Sequence, residues 1–98
     1  MNINRIQNGK TLTVAVEGRL DTTTAPELER ALKESLEGVS ELVMDFDKLD
    51  YISSAGLRVL LSAHKTMAKQ GSMKVVHVNE VVQEVFEVTG FSDILVIE

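Results

Sequence analysis

Cysteine is absent from this 98-residue chain, and proline occurs once. Without thiols there can be no disulfide, no thiolate metal site and no cysteine nucleophile, an inventory that suits a reducing compartment. A single proline also argues against long disordered stretches. No run approaches the roughly 18 apolar residues of a membrane span. The first residues, Met1-Asn2-Ile3-Asn4-Arg5-Ile6, lack the apolar centre of a signal peptide, so the expected location is the cytoplasm, without membrane contact. Clusters of basic residues are missing as well. Lys and Arg are scattered and the formal charge is -5, which disfavours direct nucleic-acid binding and points to a protein partner.

The frames of several enzyme chemistries are also absent. There is no G-x-x-x-x-G-K-[ST] loop, no G-x-G-x-x-G and no G-x-S-x-G elbow. The two histidines, His64 and His77, fall in an expected helix and an expected strand, with no ligand spacing and no convergent carboxylates. Structural roles are the expectation for both, with no metal, no cofactor and no catalytic residue.

What is present reads as one folded domain over residues 1–98, with 44% hydrophobic and 26% charged residues. Leu12, Val14, Val16 and Leu20 alternate with polar or small residues, and Asn8-Gly9 before them marks a hairpin to a strand around Ile3 and Ile6. Thr24-Ala-Pro-Glu27 reads as a capping box opening a helix through Leu28, Ala31, Leu32, Ser35 and Leu36, with Gly38 as a left-handed stop. Leu42-Val-Met-Asp-Phe46 has the near-continuous apolar pattern of a central strand buried on both faces. From Ser54, the residues Leu57, Leu60, Leu61, His64 and Ala68 mark a helical face, with Lys65 and Lys69 outside and Gly71 as the stop. A strand over Met73–Val78, a helix over Val81–Val88 ending at Gly90, and a strand over Ile94–Ile97 complete the chain. The expected fold is α/β, in the order β-β-α-β-α-β-α-β. Its sheet is mixed and mostly parallel, with an N-terminal hairpin and helices mainly on one face.

The stretch Asp50-Tyr-Ile-Ser-Ser-Ala-Gly-Leu-Arg58 places two hydroxyls and a glycine where strand pattern gives way to helix pattern. Locally, Ser53 and Ser54 suit either a helix cap or a phosphoacceptor. Asp21 suits either a cap or a partner contact. Thr22 and Thr23 suit a turn, and Tyr51 and Ile52 lead the chain into the core. Arg58, one turn into the helix, is a surface residue or a partner contact.

Gly18-Arg-Leu-Asp21 followed by a helix, an apolar strand, and then Leu49-Asp-Tyr-Ile-Ser-Ser-Ala-Gly-Leu57 opening a second helix resembles a STAS domain of the anti-sigma factor antagonist family. The resemblance spans nearly the whole chain, and it implies a non-catalytic switch. A partner anti-sigma factor, itself a serine kinase, phosphorylates a serine at the start of the second helix, and a PP2C-like phosphatase reverses this. The unphosphorylated form binds the anti-sigma factor and frees the sigma factor. Register with the family pattern puts the acceptor on Ser54, with Ser53 as second choice. The implied partner surface is Asp21, Thr22, Ser53, Ser54, Gly56 and Arg58. Ser53 stands where many members carry Asp, and Ala55 replaces the following hydroxyl. A monomer or weak dimer is expected. The alternative is a scaffold that uses the same surface, without phosphorylation, to dock a transporter ATPase or a signalling complex.

Overall fold

Asn8 and Gly9 turn the chain back on itself. In the computed structural model, which describes residues 1–98, β1 (Asn2–Asn8) pairs antiparallel with β2 (Thr11–Leu20), and Gly9 takes φ +65° at the first turn position. The lower half of β2, Thr11 to Ala15, then pairs in parallel with β3 (Glu41–Asp45). Its upper half, Gly18 to Leu20, pairs in parallel with a short strand, β4 (Leu49–Ile52), with a register shift between Gly18 and Arg19. Gly18 has φ +98°, and its N–H donates to the Lys48 carbonyl at 2.9 Å. A left-handed residue is what lets one strand change partners there.

β5 (Ser72–Val76) pairs with the other edge of β3, and β6 (Val96–Ile97) with β5, giving the order β1-β2-β3-β5-β6 with β4 beside the top of β2. The expected order of strands and helices therefore holds, with β4 inserted where the sequence reading had only a lead-in to the core. β3 is central, as its pattern suggested. It is not buried on both faces: Leu42 and Met44 are buried, while Val43 on the other face is half-buried between Thr13 and Lys74. The reason is that the helices cover one face only, so one apolar side chain in the run looks outward beside polar neighbours.

That covered face builds a single core of 24 residues, with Phe46 and Phe86 its largest fully buried side chains. Three helices close it, namely α1 (Ala25–Ser35), α2 (Ser54–Ala68) and α3 (Glu80–Thr89). α2 turns Gly56, Leu57, Val59, Leu60, Ala63 and Met67 inward, whereas the expected face included Leu61, His64 and Ala68. Leu61 and His64 are half-buried and Ala68 is exposed. The buried face is offset by one position from the expected one, with Gly56 at its head seated too close to Leu20 and Ile52 for any side chain.

Gly71 was expected to stop α2, which instead ends at Ala68 with Lys69 as C-cap. Gly71 is needed for a different reason: a Cβ there would collide with the Ser40 carbonyl. Gly90 does end α3, at φ +83°. A 3₁₀ turn at Phe91–Asp93 follows, so the last strand is shorter than expected. His77 lies beyond β5 rather than in a strand, with φ +59°, a left-handed conformation that His tolerates better than most residues.

Candidate phosphoacceptor and partner-binding site

β2 and β4 run in parallel, and Leu20 pairs with Ile52, so both chains leave the sheet side by side at the same rim. The Asp21 loop leads into α1 and the Ser53-Ser54 pair leads into α2. The Ser53 N–H donates to the Leu20 carbonyl at 2.9 Å, joining the two motifs directly.

Asp21 organises its own loop. Its Oδ1 accepts from the Thr23 hydroxyl at 2.8 Å, the Thr23 N–H at 3.0 Å and the Thr24 N–H at 3.2 Å. Its carbonyl accepts from the Ala25 N–H at 2.8 Å. The expected capping box therefore does not form, since Thr24 already has helical dihedrals and makes no side-chain cap. The Thr24 hydroxyl donates to the Arg19 carbonyl at 2.7 Å and accepts from the Asp21 N–H at 2.8 Å, so it tethers the loop to β2. The Thr23 hydroxyl bond, with the two backbone donors, holds the Asp21 carboxyl below its ordinary pKa against the desolvation that would raise it. Asp21 thus stays charged at the rim at neutral pH.

The two serines divide the start of α2 between them. Ser53 is extended (φ -100°, ψ 177°), and its hydroxyl accepts from the Gly56 N–H at 3.5 Å. Its carbonyl accepts from the Leu57 N–H at 3.0 Å, the first bond of the helix. Ser53 is therefore the cap. Ser54 is the first helical residue; it is exposed and lies outside that capping bond. No acidic residue stands in the first turn of α2. Gly56 is buried against the ends of both strands: a Cβ there would lie 2.7 Å from Leu20 Cγ and 2.9 Å from Ile52 Cγ1.

Thr22 and Arg58, both exposed, face one another across a shallow groove of about 190 Å³ between the heads of α1 and α2, floored by Ala25, Ala55 and Val59. A second hollow of about 370 Å³ extends it between the two helices and shares Glu29 and Val59 with it. Asp21, Thr22, Ser53, Ser54 and Arg58 therefore share one rim, and Gly56 lies beneath it as packing. Sequence reading missed Arg19 and Tyr51. The Arg19 guanidinium lies 4.3 Å from the centre of the Tyr51 ring and 3.9 Å from the Asp21 carboxylate. The two residues are register partners across β2 and β4, so recognising β4 as a strand would have exposed the pair.

Apart from this rim, His77 Nδ1 lies 2.9 Å from Asp45 Oδ1. That hydrogen bond and the Asp45 charge hold His77 above its ordinary pKa. Burial pushes Asp45 upward, but the bonds from His77 and from the Asp47 N–H outweigh it and leave the carboxyl below its usual range. No helix is long and apolar enough to cross a membrane.

The STAS domain family model matches residues 2–98. BtrV of Bordetella bronchiseptica is 38% identical over 85 residues, which cover 85% of this chain and 73% of that protein. The anti-sigma-B factor antagonist of Bacillus subtilis is 31% identical over 96 residues, covering 97% of this chain and 88% of that one. Among solved structures, an anti-sigma factor antagonist from Mycobacterium paratuberculosis superposes with a TM-score of 0.89 at 23% identity, covering 98% of this chain and 83% of that one. With the fold, the paired rim motifs and a family match over nearly its whole length, this chain belongs to the STAS domain family.

Proposed function

We propose that this STAS domain is an anti-sigma factor antagonist, a binding protein switched off by phosphorylation of Ser54. Its unphosphorylated form binds an anti-sigma factor and so releases a sigma factor. The observation that carries the reading is the division of labour between the serines: Ser53 is engaged as the cap, and Ser54 beside it is exposed and uncommitted.

The partner anti-sigma factor would act as the serine kinase. The γ-phosphorus of ATP forms a bond to the Ser54 oxygen, its bond to ADP breaks, and the hydroxyl proton passes to a base of the kinase. A PP2C-like phosphatase would return the hydroxyl by hydrolysis. Phosphate adds about -1.5 to -2 charges, which the free N–H groups of the first turn of α2 can support, so the domain stays folded. A partner surface that accepted a neutral hydroxyl then meets a dianion beside the Asp21 carboxylate. A mismatch of about 3 kcal/mol would weaken binding more than a hundredfold. Ser53 in place of the Asp found in many family members removes one carboxylate from the cap and lowers the repulsion that the phosphate meets within this chain.

The test is incubation with the cognate anti-sigma kinase and ATP, followed by intact mass. One phosphate is expected on the wild-type chain and on Ser53→Ala, and none on Ser54→Ala. Phosphate on Ser54→Ala would move the acceptor elsewhere. Unmodified wild-type protein that still binds would favour the phosphorylation-independent scaffold.

A further inference from the structure

The formal charge of -5 is not spread evenly. Residues 1–77 hold ten acidic and ten basic side chains, whereas residues 78–98 hold five acidic ones and no Lys or Arg. Three of these five, Glu80, Glu84 and Glu87, are exposed on α3. Their spacing of four and then three residues aligns them along the helix. A parallel line runs one residue further on, through Val81, Val85 and Val88. Val81 is 56% exposed and Val88 79% exposed, with Val85 half-buried between them. Val82 and Phe86 anchor the opposite side of the helix in the core. Along the valine line lies a shallow depression of about 290 Å³ that Glu84 and Thr89 also border.

We propose that this double stripe on α3 is a second docking surface, and that it takes a basic amphipathic helix from a partner protein. Two features select that occupant. Val81 and Val88 are apolar side chains left in water on either side of half-buried Val85, at helical spacing, the pattern that a facing apolar stripe buries. The aligned glutamates repel one another along α3, and lysines or arginines beside the partner's apolar stripe turn that repulsion into attraction. A second copy of this chain offers matching valines but brings three more glutamates, with no Lys or Arg in the same segment. An anionic lipid surface is repelled for the same reason. The surface goes beyond the Ser54 switch and stands whether or not Ser54 is phosphorylated.

Isotope-labelled full-length chain, titrated with a helical peptide carrying leucines at α3-like spacing flanked by lysines, tests the proposal by amide chemical shifts. The control peptide has glutamates in place of the lysines. Shifts confined to Glu80–Thr89 are expected, with at least about tenfold tighter binding of the lysine peptide at low salt. That preference shrinks as ionic strength rises and screening sets in. Val88→Asp should abolish binding, and the paired change Glu84→Lys and Glu87→Lys should shift the preference to the glutamate peptide. Both variants alter exposed positions, so unchanged urea midpoints serve as the folding control. Equal affinity for the two peptides, or shifts centred away from α3, would overturn the proposal. So would α3 shifts that depend only on protein concentration, because they would assign the face to a second copy.

Discussion

Ser53 and Ser54 are chemically identical neighbours with unequal structural duties, and substitution separates them. Ser53→Ala removes the hydroxyl that accepts from Gly56 N–H. At 3.5 Å that bond is long, so the loss should fall near the lower part of the usual cap range, about 0.5–1 kcal/mol. Ser54→Ala touches no such bond and should stay within about 0.5 kcal/mol of wild type. Urea denaturation of the two variants checks both values; an Ser54→Ala variant as destabilised as Ser53→Ala would mean that the exposed serine also caps. The local sequence could not distinguish the pair, because capping depends on which residue is extended and which is already helical.

Between elements, the close seat of α2 on β2 and β4 is the contact that fixes the rim. Gly56 makes that seat possible, and Gly56→Ala would force a methyl against Leu20 and Ile52. The expected cost is about 1–3 kcal/mol, read as a lower urea midpoint. Because the strands being pushed carry Asp21 and Ser53, modification of Ser54 by the kinase should slow as well. The hairpin at Asn8-Gly9, the helix stop at Gly90 and the central place of β3 were all legible in the sequence, since each rests on local turn chemistry or a strong apolar run. β4 was not legible. Leu49-Asp-Tyr-Ile52 is short, and what makes it a strand is pairing with Gly18–Leu20, some thirty residues earlier. The face of α2 was not legible for a related reason: Gly56 and Ala63 carry little hydrophobic weight in a periodicity, yet both are buried, and Gly56 seats the helix against Leu20 and Ile52. At the site, the resemblance to the family pattern named the rim residues, while the local sequence left them as caps, turn residues or contacts; the Asp21 loop and the Arg19–Tyr51 stack depend on geometry across strands.

For the whole molecule, one core on one face of one sheet means that a local electrostatic contact is felt in global unfolding. The Asp45–His77 pair bridges the ends of β3 and β5, and its pH dependence has two limbs. His77 is raised above its ordinary value of 6.5, so its contribution is complete below that value and lost as pH rises through the elevated pKa. Asp45 is lowered from 3.8, so its contribution is complete above that value and lost as pH falls through the depressed pKa. Urea midpoints measured across this range should show His77→Asn removing the upper limb while tolerating the left-handed backbone. An unchanged upper limb in that variant would exclude His77 as its source. His77 is exposed and Asp45 half-buried, so solvent reaches the pair and added salt should flatten both limbs. The partner change of β2 at Gly18 has a consequence for how such a chain can vary. Below the register shift the strand belongs to the hairpin and β3; above it, to β4 and the serines. Sequence drift in the lower half bears on how firmly the domain holds together, whereas in the upper half, where Leu20 is fully buried beneath Gly56, a change that reshapes the rim also draws on the stability of the core.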